Sequence, residues 1–146
     1  MTGKVGAVDA QITQRAKDML PKFEGRVFEG DVPQGEQIPM DAAGRVRPYL
    51  VVIYGGLQRP AQRKRGITST RDDIKIHTLL FLVTGQTVGQ ANELSDDVRD
   101  VFEGFEPEGA GEMAEETSGN AKYPADSTLK PTRYTNMLAY SLLVNP

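Results

Sequence analysis

The 146-residue chain has no cysteine, no tryptophan and a single histidine, His77. Without thiols, disulfide frameworks, thiolate zinc sites and cysteine nucleophiles are all excluded. Long apolar runs are missing too. The longest, Tyr49 to Tyr54 and Leu79 to Val83, fall far short of the ~20 residues a membrane-spanning helix requires. The opening stretch MTGKVGAVDAQITQ lacks the apolar core of a signal peptide, which predicts a cytosolic chain.

What is present is ordinary for a globular protein: 38% hydrophobic and 25% charged residues. A chain of this length buries roughly 68–70% of its unfolded surface without staples. A single domain over 1–146 is therefore expected. The net charge of −3 is unevenly spread. Residues 59–75 carry Arg59, Arg63, Lys64, Arg65, Arg71 and Lys75 against Asp72 and Asp73. Residues 93–116 carry ten acids against Arg99 alone.

Hydrophobic periodicity predicts the elements. Ile12, Ala16, Met19 and Leu20 give a helix over Asp9–Leu20 one apolar face. Asp9 is its expected N-cap, and Pro21 ends it. A short strand is expected at Arg26–Glu29, closed by Gly30. Five Pro and Gly residues (Pro33, Gly35, Pro39, Gly44, Pro48) then mark Asp31–Pro48 as loop. Tyr49–Tyr54 is a β-branched and aromatic run bounded by Pro48 and Gly55–Gly56, suited to a strand covered on both faces. The basic stretch, residues 57–72 within Gly55–Asp72, lacks periodicity and reads as a long loop. Ile74–Thr84 alternates as a strand, with Lys75 and His77 on its wet face at first and apolar residues on both faces later. Thr87-Val88-Gly89-Gln90 has the form of a capping box. Ala91, Leu94, Val98, Val101 and Phe102 then form the buried face of a second helix, which Gly104 stops. Phe105–Arg133 is acidic, Gly-, Pro- and Ser-rich, and is expected to be an excursion that need not join the core. Tyr134–Val144 alternates as a closing strand too apolar to lie exposed. The order α-β-β-β-α-β predicts an α+β fold: a mostly antiparallel sheet, two helices packed on one face, and long loops.

Few constellations carry chemistry. His77 with Asp72 and Asp73 suggests a metal by residue type, but adjacent Asp residues on a strand point to opposite faces, so a solvated strand face is the reading favoured over a metal. Asp96 and Asp97 lie about 100° apart on a helix, so they form no convergent acid–base pair. The glycines of Gly55-Gly56 and Gly85-x-x-x-Gly89 fit no phosphate-binding pattern and read as turns. No catalytic residue, metal or cofactor is predicted. The strongest positive signal is the basic loop, where Arg63, Lys64 and Arg65 are consecutive. No aromatic is interleaved, which argues against base stacking and leaves attraction to phosphate, attraction to an acidic protein surface, or a loop simply kept soluble by its charges.

Several strings in order resemble the tail terminator proteins of phages with long non-contractile (siphovirus-like) tails, especially those of actinobacterial hosts. They are GRVFEGDVP (Gly25–Pro33) after an N-terminal helix, RPYLVVIYGG (Arg47–Gly56), a basic loop, and IHTLLFLVTGQTVGQANELSDDVRDVFEG (Ile76–Gly104), with a strand to close. The resemblance covers most of residues 8–104 plus 134–144. It implies a small α+β subunit without enzymatic activity that forms a homohexameric ring. Such a ring caps the tail tube, ends its polymerisation and docks the head connector or head-closure protein. Its implied partners are further copies of itself, the major tail tube protein and that connector. Genome DNA would pass the lumen without sequence-specific binding, and no membrane is involved. The implied location is the head-proximal end of the virion tail, after assembly in the host cytoplasm.

A closing ring needs two complementary patches per subunit. One reading pairs Arg59, Arg63, Lys64, Arg65 and Arg71 with Glu112, Glu115 and Glu116 of a neighbour. The other turns the basic loop toward the lumen or the tube. Two further functions compete with the ring. A nucleic-acid-binding or other adaptor module would use the basic loop, although the chain's acidic pI of about 5.2 disfavours it. A small enzyme would need a convergent polar pocket, and no set of residues suggests one.

Overall fold

The computed structural model describes residues 4–31, 33, 38–58, 75–123 and 132–144. Its elements run α1 (Lys4–Met19), β1 (Val27–Glu29), β2 (Tyr49–Gln58), β3 (Lys75–Gly85), α2 (Val88–Phe102), β4 (Ala114–Glu115), β5 (Ala121–Tyr123) and β6 (Tyr134–Val144). One sheet has the order β1-β2-β3-β6-β4, with β5 also paired to β6. Only β1 and β2 pair in parallel; the other ladders are antiparallel. The fold is α+β, as the sequence predicts, with the two short strands β4 and β5 added to the expected order.

Alternation along the strands builds two clusters on opposite faces. On one face Leu50, Val52, Leu79, Phe81, Val83, Leu138, Tyr140, Leu142 and Val144 pack beneath both helices, which contribute Val8, Ile12, Ala16, Leu94, Val98 and Phe102. On the other, Tyr49 and Val51 meet Ile38 and Val46 of the 38–46 loop, with Phe28, Ile53 and Leu82 against them. β2 is thus covered on both faces between β1 and β3, as its apolar run requires.

Several expectations need correction. α1 starts before Asp9, because Val8 extends the stripe of Ile12 and Ala16 back by one turn and is buried. Asp9 is therefore inside the helix and does not cap it. Met19, expected on the buried face, is 52% exposed at the last turn. β2 does not stop at Gly55–Gly56 but bulges there and continues to Gln58. The face of β3 is reversed: His77, at 0% exposure, shares the helix-covered side with Leu79, Phe81 and Val83, while Ile76, Thr78, Leu80 and Leu82 are only half-buried. Nor is 105–123 an excursion. Met113 enters the core, and β4 and β5 pair with β6.

Candidate functional site

The acidic side of the molecule is set up by the start of α2. A Cβ on Gly85 would come within 3.0 Å of the Ala91 nitrogen, so its absence lets β3 run straight into the helix. Thr87 then caps α2, its Oγ1 accepting from the Gln90 N–H at 3.0 Å, and Gln90 Oε1 accepts from the Gln86 N–H at 2.7 Å. The Gln90 carbonyl-type oxygen reaches one residue further back than the usual reciprocal bond.

Most acids of this side are already engaged. Lys22 donates to Glu93 at 2.8 Å and pairs with Asp97 at 3.1 Å. These two carboxylates raise the pKa of the Lys22 ammonium by hydrogen bonding, Glu93 foremost. Arg99 donates through Nε to both Glu115 oxygens at 3.1 Å and through a terminal nitrogen to Asp96 at 3.0 Å. Desolvation works against the Arg99 charge, but the hydrogen bond it donates to Glu115 and the attraction between the two outweigh it and raise the pKa. Asp96 and Asp97 serve different partners, in keeping with their angular separation on the helix.

Of the interface residues named from the sequence, Arg59, Arg63, Lys64, Arg65 and Arg71 lie outside the described residues, as do Asp72 and Asp73. Glu112 is exposed. Glu116 is exposed and accepts from Ser141 Oγ at 2.7 Å. Glu115 has a different situation. Its side chain is 13% exposed, and it also accepts from Asn120 Nδ2, while its N–H donates to Glu103 Oε2. Glu115 thereby fastens β4 and the following turn to α2.

Two grooves flank α2. A polar one of about 480 Å³ lies between α2, β5 and β6. On it Asn136 Nδ2 donates to Asn92 and Ser95, both at 3.0 Å, and Lys122 donates to Asn92 at 3.2 Å. The other, of about 250 Å³, runs between the end of α1 and α2 and has an apolar floor.

A buried polar cluster was not legible in the sequence. His77 Nε2 stands 2.6 Å from Asp9 Oδ1, and its ring stacks on Tyr54 at 5.9 Å between centroids. A carboxylate can only accept, so Nε2 carries the proton of this bond. Tyr54 donates to the Asp9 carbonyl at 2.9 Å and lies 2.7 Å from Thr13 Oγ1, whose own proton goes to Glu29. Burial pushes the Tyr54 phenol pKa well above its ordinary value. The only available signal was Asp9, Thr13 and Ala16 lying close to one face of α1, which polarity alone does not reveal as buried. Among the described residues no group of three His, Asp or Glu could hold a metal, and no helix is long and apolar enough to cross a membrane. The cluster joins α1 to β1, β2 and β3.

No protein-family model matches the sequence, and no curated protein matches it. Among solved structures the chain is similar to one from the "Virion of native gene transfer agent (GTA) particle", with 18% identity and a TM-score of 0.59. The likeness covers 100% of both chains and is one of fold.

Proposed function

We propose that this chain is a structural virion subunit of the tail-terminator type, without enzymatic activity. It forms a hexameric ring that caps the tail tube, halts its growth and presents the surface on which the head connector docks. The observation that carries this reading is the fold likeness to a chain of a gene transfer agent virion. The ordered strings from Gly25–Pro33 to Ile76–Gly104 support it. So does the character of the polar groups: each cluster described above joins elements of the fold, and none converges on a reactive atom.

In this reading the basic segment of one subunit meets the acidic side of the next, and the contact closes by rotation. Glu112 and Glu116 are available for it by exposure. Glu115 is occupied by Arg99 and Asn120, so Glu115→Lys is expected to cost roughly 1–3 kcal/mol of stability by removing the acceptor of Arg99 Nε and Asn120 Nδ2 and setting a like charge beside Arg99. Glu112→Lys, at an exposed position, should stay within about 0.5 kcal/mol of the parent. Denaturant titration of the two variants checks this contrast.

The function is tested by mixing the purified chain with growing tail tubes. Closed particles of hexamer mass that bind tube ends and stop elongation are the expected result. A chain that stays monomeric and leaves tube growth unchanged overturns the proposal.

A further inference from the structure

We infer that the groove between α1 and α2 receives the basic segment 59–71 of a second copy of this chain, an assignment that rests on the ring reading. Its floor is apolar, formed by Met19, Pro21, Leu94 and Val101. Met19 belongs by spacing to the apolar stripe of α1, yet it is 52% exposed. An unbranched thioether left uncovered on a core stripe is suited to re-packing against a partner. At about 250 Å³ the groove is below the range of roughly 300–1,000 Å³ typical of small-ligand pockets. It is matched instead to an aliphatic anchor from another chain.

The rim selects the partner's charge. Glu93, Asp97 and Asp100 stand there against Lys22, which already serves Glu93 and Asp97. Asp100 has no ion pair among the described residues. The segment 59–71 holds Arg59, Arg63, Lys64, Arg65 and Arg71, no acid, and one large aliphatic residue, Ile67. It therefore carries both the anchor and the opposite charge.

The ring reading favours a second copy over the same one. A head-to-tail ring contact needs two different, complementary patches on each subunit, and the acidic groove and the basic segment supply them.

The chain has no cysteine, so engineered thiols report the contact directly. Met19→Cys and Ile67→Cys variants are mixed under oxidising conditions. Val88→Cys, exposed at the start of α2, replaces Met19→Cys in the control. Disulfide-linked dimers should form at least about tenfold faster with Met19→Cys than with the control, reflecting a raised effective concentration. Asp97→Lys with Asp100→Lys should abolish this excess, and adding Arg63→Asp and Arg65→Asp to the partner should restore it. A Met19→Cys/Ile67→Cys double variant that closes on itself as a monomer, or mixed cross-linking no faster than the control, overturns the inference. Rings of hexamer mass without this cross-link leave the ring reading standing and remove only the groove. Failure to assemble at all, with or without tube protein, removes both.

Discussion

At Tyr140 a hydroxyl is buried edge-on to Phe81, their centroids 5.4 Å apart, with no hydrogen-bond partner among the described residues. Burial raises the pKa of its phenol, so the group stays neutral and simply lacks the solvation it had when unfolded. Removing the oxygen keeps the ring packing and lifts that desolvation cost. Tyr140→Phe is accordingly expected to be neutral or stabilising by up to about 1 kcal/mol, read as an unchanged or higher denaturation midpoint. Gly55 poses the reverse problem. A Cβ there would sit 2.5 Å from Thr78 Oγ1 and 3.2 Å from its carbonyl, across the ladder between β2 and β3. Gly55→Ala should cost about 1–3 kcal/mol through overpacking. Thr78→Ala removes the nearer obstacle, so most of the loss should vanish in the double variant, and a cycle of thermal melts measures that coupling.

Among the elements, α1 is held in two ways. Val8, Ile12 and Ala16 bury its apolar stripe, while Asp9 and Thr13 bond to His77, Tyr54 and Glu29. His77→Ala deletes the bond to Asp9 and the ring stacked on Tyr54, and should destabilise by about 2–4 kcal/mol. Tyr54→Phe removes only the hydroxyl and should cost about 1 kcal/mol. Denaturant titration orders the two. This latch explains where sequence reading succeeded and where it failed. The apolar residues of α2, β2 and β6 announce their buried faces because large apolar side chains dominate each, with only Ser95 and Asn136 as buried polar exceptions. On β3 both faces are apolar after Thr78, so the assignment fell to Lys75 and His77, and polarity placed them in water. His77 is instead satisfied by a carboxylate 68 residues away in sequence, a partnership no local pattern encodes. β4 and β5 were hidden for a related reason. They have two and three residues, too few for a period, and exist because β6 offers them an edge. At the candidate site, the charge blocks were legible from composition, but not that Arg99 already claims Glu115.

The whole molecule has a wet side and two unequal cores, and its charges respond to acid in a defined direction. Asp41 accepts from the Arg45 and Ala43 N–H groups beside the Met40–Val46 bridge, and the Arg45 backbone bond above all holds its carboxyl below the ordinary value. Glu24 is held down by the hydrogen bond from Arg26. A carboxyl whose folded pKa is lowered contributes stability above its unfolded value, near 3.9 for Asp on the usual scale, and loses it as pH falls through the folded value. The unfolding temperature should therefore drop on acidification below about pH 4. Asp41→Asn should flatten part of that decline and change little at neutral pH other than through the loop itself, as melts across a pH series will reveal. The sheet also imposes an order in time. β6 lies between β3 on one side and β4 and β5 on the other, yet it is the last of these strands to leave the ribosome. Until residues 134–144 emerge, β3 has one unpaired edge, β4 and β5 have nothing to join, and Leu138, Tyr140, Leu142 and Val144 are missing from the core beneath the helices. Completion of the sheet and of the core beneath the helices thus waits on residues 134–144, and a chain halted before Tyr134 lacks the strand that joins its two halves.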